Sequence, residues 1–176
     1  MLDYNGTLAC DGELLEGVGQ RLQALSQQLQ IHVVTADTFG KVRDQMAELA
    51  CQVVVLPVEN QAAGKLNYII KLGAENSVCM GNGRNDRLML EAAALGVVLV
   101  QEEGAAVATI MAADVVCPDI RQSQARPRTH RPVRLRRGSR CAEAGGGQTH
   151  RRVALICGAR GWFPEIVIRY LRAHGA

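Results

Sequence analysis

The sequence predicts an α/β domain built on a parallel sheet with helices on both faces. Three observations carry this expectation. Short apolar runs rich in β-branched residues recur along residues 1–120. Segments with apolar residues at three- and four-residue steps separate them. The runs are nearly all apolar rather than alternating, as expected of strands buried on both faces.

Each element follows in chain order. Leu14, Val18, Leu22, Leu25 and Leu29 fall on one face of an amphipathic helix. Ile31–Val34 is β-branched and too short for a helix, so it reads as a buried strand. Val42, Met46 and Leu49 mark a second helix, and Val53–Leu56 a second strand stopped by Pro57. A third helix spans about 61–72 and stops at Gly73. Ser77–Met80 is a strand, and 86–95 a helix ended by Gly96. Val97–Val100 is a strand, 104–112 a short helix, and Asp114–Cys117 a last strand. Folds of this class bind ligands beyond the carboxyl ends of their strands. The segments to inspect are therefore Asp3–Thr7, Thr35–Asp37 and Gly81–Asp86.

Charge divides the chain of 176 residues unevenly. Residues 1–120 hold 7 Lys+Arg against 15 Asp+Glu, whereas 121–176 hold 13 Arg, no Lys and 2 Glu. The net +3 therefore describes neither part. The longest useful apolar run, Ala92–Val100, falls well short of the roughly 20 residues that a membrane span needs. The opening Met1-Leu2-Asp3 lacks the basic flank and apolar core of a signal peptide. The 6 Cys lie far apart without a CxxC pair, so reduced thiols and a cytoplasmic location are expected.

Three domains follow from composition: a globular unit over 1–120, an Arg-rich disordered segment over 121–152, and an extension over 153–176. In the extension, Val153–Cys157 reads as a strand and Glu165–Arg172 as a short helix. An all-Arg tail after an abrupt change of composition reads first as an out-of-frame translation of GC-rich DNA. An intact alternative frame near codon 120 that encodes an apolar helix is the test. A plain linker and a basic arm for nucleic acid or an anionic membrane are the other readings. The acidity of 1–120 argues against nucleic acid as that unit's ligand.

The post-strand segments contain the chemistry. In Asp3-Tyr4-Asn5-Gly6-Thr7-Leu8, a carboxylate at a strand end precedes a glycine turn whose backbone N–H groups can hold an anion. Read alone, Asn5-Gly6 is an ordinary turn dipeptide. In Val33-Val34-Thr35-Ala36-Asp37, a hydroxyl and helix N–H groups can bind phosphate, although Asp37 or Thr38 also reads as a plain helix cap. The loop Gly81-Asn82-Gly83-Arg84-Asn85-Asp86 is less generic. Its small residues bring backbone close to a ligand, and Asp86 can hold a hard cation through oxygen, or cap the next helix. Lys65, near a helix start, is a solvated charge in most settings. As a functional group it would neutralise a phosphate and a carboxylate.

The order Asp-x-Asn-Gly-Thr-Leu, hydrophobic-Thr, Lys, Gly-Asn-Gly-x-Asn-Asp-x-x-Met-Leu resembles the haloacid dehalogenase superfamily. The resemblance is to its soluble branch that is similar to the phosphorylation domain of P-type ATPases, and it covers 1 to about 120. It implies a Rossmann-like fold of that type and a Mg²⁺-dependent phosphohydrolase or phosphotransferase, a phosphatase or ATPase-like hydrolase, with a phosphorylated substrate. Asp3 would be the nucleophile that becomes an aspartyl phosphate. Thr35 and Lys65 would be catalytic partners. Gly6, Thr35, Ala36, Lys65 and Asn85 would bind phosphate. Asp3, Asn5, Asn82 and Asp86 would hold Mg²⁺, Asn5 through its backbone carbonyl.

Two departures qualify the resemblance. Asn5 stands where hydrolytic members have a proton-shuttling Asp, so hydrolysis should be slow or limited to good leaving groups. Asn82 stands where a metal-binding Asp is usual, so Mg²⁺ affinity should fall. Both favour the alternative of a non-catalytic relative that binds phosphate or a protein partner. The intervals from Asn5 to Thr35 and from Thr35 to Lys65 are about 30 residues each, which leaves no room for a large cap domain. Only Met1 and Leu2 precede Asp3, so the first strand is expected to be truncated or to start upstream. Mass spectrometry of the native N-terminus tests that expectation: a peptide beginning at Met1 rules out the upstream start.

Overall fold

The computed structural model describes residues 1–36 and 40–121, and the backbone of 155–156. It is a mixed α/β structure with a parallel sheet, a Rossmann-like arrangement. In chain order the elements are β1 (Ala9–Cys10), β2 (Glu13–Leu14), α1 (Val18–Ser26), β3 (His32–Thr35), α2 (Val42–Gln45) and β4 (Gln52–Val55). Next come α3 (Gln61–Leu72), β5 (Val78–Gly81), α4 (Arg87–Ala92), β6 (Leu95–Leu99), α5 (Val107–Ala112), β7 (Val115–Cys117) and β8 (Leu155–Ile156).

β4 pairs with β3, and β5 through β8 pair in chain order, all parallel. Leu2 joins the two sets, with parallel bridges to Val33 on one side and to Met80 on the other. The expected first strand is thus reduced to a single paired residue in the middle of the sheet. Its register carries Asp3 opposite Val34, one residue before the end of β3, and opposite Gly81 at the end of β5.

Strand residues alternate between two apolar layers. Leu2, Val33, Met80, Val97 and Val115 face the layer that holds Val18, Leu22, Val42 and Met46 of α1 and α2 and the residue after it. Val34, Cys79 and Val98 face the layer that holds Ile69 of α3 and Met89 and Leu90 of α4. Period-two side-chain direction explains why the central positions of these strands are apolar on both faces, with polar residues such as His32, Thr35 and Gln52 at strand ends.

Several boundaries differ from the sequence expectation. Leu14 belongs to β2, not to the helix, which begins at Val18. The Asp11-Gly12 dipeptide makes a two-residue hairpin turn between β1 and β2, with φ of 49° and 78°. Both values are left-handed, as such turns require. The local Asp-Gly signal therefore overrides the periodicity that put Leu14 in a helix. Gly96 does not end a helix; it lies inside β6. A Cβ there would stand 2.4 Å from the Leu90 carbonyl oxygen, so its role is close approach of β6 to α4. α4 accordingly ends at Ala92, earlier than expected.

α5 begins at Val107, and no inserted domain separates Asp3 from Lys65: the hairpin, α1, β3, α2 and β4 occupy that interval. The expected strand over Val153–Cys157 appears as Leu155–Ile156 against β7. Asp37, Thr38, the segment 122–152 and the helix over Glu165–Arg172 lie outside the described residues.

Candidate functional site

Lys65 decides the character of the site. It sits in α3, and burial of its whole side chain contradicts the solvated reading. Its Nζ donates to Asp3 Oδ1 at 2.5 Å and to Asp86 Oδ1 at 2.6 Å. A buried ammonium is tolerated only when paired and hydrogen-bonded. Burial alone would lower its pKa; the charges of Asp3 and Asp86 outweigh that and hold it raised.

The two carboxylates are not equivalent. Asp86 Oδ2 accepts from the N–H groups of Asn82 (3.0 Å) and Gly83 (2.8 Å), so both oxygens are engaged. Burial, and then the charge of Asp3, push its pKa up. Gly81 makes room for it: a Cβ at Gly81 would stand 2.4 Å from Asp86 Cγ. The Asp3 side chain retains 10% of its exposure, against 0% for Asp86 and 1% for Lys65. Asp3 is therefore the member of the trio with an edge open to solvent.

Thr7, to which the sequence reading gave no role, is fully buried beside Asp3. Its Oγ1 lies 3.4 Å from both Asp3 Oδ2 and Asn82 Oδ1, and its single proton serves one of them at a time. Asn82 donates through Nδ2 to the Gly104 carbonyl (3.1 Å), which turns its oxygen toward Thr7 and Asp3. Only the position of Thr7 within the Asp3–Leu8 run could have flagged it.

The turn after Asp3 is folded on itself. The N–H groups of Thr7, Leu8 and Ala9 donate to the Tyr4 carbonyl, and that of Gly6 donates to Ala9. This corrects the expectation that Gly6 offers a free N–H to an anion, because backbone acceptors already take these donors. Gly6 supplies space instead. Its φ is +72°, and a Cβ there would lie 2.1 Å from Asn82 Nδ2.

The other expected residues are placed as follows. Thr35 is buried at the end of β3, at the same sheet edge as Asp3, and Ala36 follows half-buried. Asn85 Nδ2 donates to Gln61 Oε1 at 2.6 Å, tying the Gly81–Asp86 loop to the start of α3. Asn5 is half-buried, and its Oδ1 is buried without a hydrogen-bond partner among the described residues.

The donor set suits a hard cation. Asp3, Asp86, Asn82 and the orphaned Asn5 Oδ1 are all oxygen donors. With both carboxylates ionised, the Lys65 trio carries one net negative charge. Among the described residues no group of three His, Cys, Asp or Glu gathers at one point. Amide oxygens would therefore have to complete a Mg²⁺ shell.

Over 38 residues the chain is 47% identical to the uncharacterized protein MJ0072 of Methanocaldococcus jannaschii, which spans 22% of this chain and 86% of that protein. The chain belongs to the family of that archaeal protein. A second member, the uncharacterized protein MJ0073 of the same organism, is 37% identical over 65 residues, 35% of this chain and 70% of that protein. No family model matches the chain. No solved structure matches it. Among the described residues no helix is long and apolar enough to cross a membrane.

Proposed function

We propose that this chain is a Mg²⁺-dependent phosphotransferase or slow phosphohydrolase of the haloacid dehalogenase type, with Asp3 as its nucleophile. One observation supports this most. A buried lysine bridges two carboxylates at the carboxyl end of a parallel sheet, and only Asp3 of the pair keeps an accessible edge. Phosphoryl transfer depends mainly on positioning and charge neutralisation, and this trio supplies both.

The step balances without a protein acid. A carboxylate oxygen of Asp3 attacks phosphorus, the bond to the leaving oxygen breaks, and that oxygen departs with the electron pair. Asn5 has no proton to give. The leaving group must therefore be stable as an anion, as in acyl phosphates, aryl phosphates and phosphoanhydrides. In this reading Lys65 neutralises Asp3 and the incoming phosphoryl oxygens, and Thr35, at the end of β3, would bind those oxygens. Asp3, Asn82, Asp86 and Asn5 are the residues that would hold Mg²⁺. The ion, when bound, offsets phosphoryl charge.

Incubation with acetyl phosphate and Mg²⁺ tests the reading. Wild type should take up one acid-stable phosphoryl label that Asp3→Asn loses. Equal signals from both proteins overturn it and favour a non-catalytic relative, which is the reading that Asn5 and Asn82 support.

A further inference from the structure

The segment after β6, Gln101–Thr109, holds both loops of the candidate site. Asn82 is fixed by the Gly104 carbonyl through its side chain, and its own carbonyl accepts from Ala106 N (2.9 Å). Thr109 Oγ1, fully buried, donates to the Gly83 carbonyl at 2.7 Å. These bonds reach one loop. Gln101 reaches the other, 95 and 94 positions away in sequence: Nε2 donates to the carbonyls of Gly6 (3.0 Å) and Thr7 (2.9 Å). Its Oε1 accepts from Ile120 N at 2.9 Å, which fixes the amide with its nitrogen toward the loop.

We infer that Gln101 is a positioning residue for phosphoryl transfer at Asp3. The inference rests on the reading of Asp3 as nucleophile. Gln101 touches none of the reacting atoms. It anchors the carbonyls of two successive peptide groups, those of Gly6 and Thr7, which flank the Thr7 Cα, and Thr7 stands between Asp3 and Asn82. Through this anchor the Asp3 turn and the Gly81–Asp86 loop share one support. Losing the two donors frees the turn to move relative to Asp3, while the Lys65 trio remains intact.

Two substitutions separate positioning from mere stability. Gln101→Glu keeps the shape and the acceptor for Ile120 but removes both donors. Gln101→Lys restores a donor toward the loop. The rate of labelling by acetyl phosphate with Mg²⁺ is measured over a range of acetyl phosphate concentrations. Amide exchange over residues 4–9 is followed in the same proteins. Gln101→Glu should label roughly 10- to 100-fold more slowly at saturation, since small misplacements carry such costs. Half-saturation should be unchanged, exchange over 4–9 faster, and Gln101→Lys should recover most of the rate.

Wild-type labelling by Gln101→Glu overturns the inference, as does a Gln101→Lys variant no better than Gln101→Glu. If wild type itself takes no label, the Asp3 reading fails and takes the catalytic role of Gln101 with it. Amide exchange then tests the anchor by itself: exchange unchanged by Gln101→Glu shows that Gln101 does not hold the turn.

Discussion

Asp3 and Asp86 share one counter-ion. Lys65 Nζ stands 2.5 Å from an oxygen of the first and 2.6 Å from an oxygen of the second. The arrangement couples the charge of the accessible carboxylate to that of the sealed one. Most of what can be tested about this protein follows from that coupling.

Removing the shared ammonium should destabilise the protein. Lys65→Met leaves two carboxylates facing each other in a buried site. Breaking a buried pair by deleting one partner costs about 3–5 kcal/mol. Urea unfolding at neutral pH should show a lower midpoint with an unchanged slope. A variant as stable as wild type would show that the trio contributes nothing to folding.

Acidity should stabilise the metal-free protein through Asp86. Burial and the charge of Asp3 push its pKa from 3.8 up to about 7. The folded state thus holds a proton that the unfolded state has released. Stability from this group is fully present below the unfolded value and is lost as pH rises toward about 7. The melting temperature of wild type, relative to Asp86→Asn, should fall as pH rises from about 4 to about 7 when metal is absent, and level off above that. If Asp86 helps to hold Mg²⁺ as proposed, the ion competes with the same proton, and its affinity by calorimetry should rise over that window. A pH-independent affinity would remove Asp86 from the metal site.

Gly6→Ala should be costly despite its small size. The added methyl would stand 2.1 Å from Asn82 Nδ2, on a backbone with φ of +72°. Strain at such a position is on the order of 1–3 kcal/mol. Thermal unfolding measures it, and a neutral substitution would mean that the Asp3 turn and Asn82 can separate freely.

Under the proposed chemistry, Asn5→Asp should speed turnover. A carboxyl at that position supplies the proton that a poor leaving group needs and a base for water. General acid–base help is worth about 10²–10⁴-fold. The rate of label loss after removal of acetyl phosphate is the measurement. A label as persistent as in wild type would show that position 5 does not face the phosphoryl group.

Much of this arrangement was legible in the residues. The nearly all apolar runs at Ile31–Val34 and Val97–Val100 marked strands buried on both faces, and α3 matched its expected span of 61–72. Asp3, Lys65 and Asp86, far apart in sequence, meet because β-strand ends and α3 converge at one sheet edge. The misreadings share a cause. Leu14 and Gly96 were assigned by periodicity and by stop signals, but a two-residue turn and a close helix approach determined them. The Gly6 N–H looked free because a linear sequence does not show which carbonyl folds back onto it. Gln101 gave no signal of its own, and Thr7 none beyond its place in the Asp3–Leu8 run, since their importance lies in partners up to 95 positions away.

Leu2 gives the sheet a seam. Its N–H donates to His32 and its carbonyl accepts from Val34, while Asp3 N donates to Met80 and Met1 accepts from Met80 N. Those few bonds stitch the β3–β4 panel to the panel that begins at β5. Thr35 belongs to the first panel, Asp86 follows from the second, and Asp3 lies on the stitch itself. Any shear between the panels therefore registers first as a change in the spacing of these three residues. The candidate site is the mechanical joint of the sheet as well as its chemical centre.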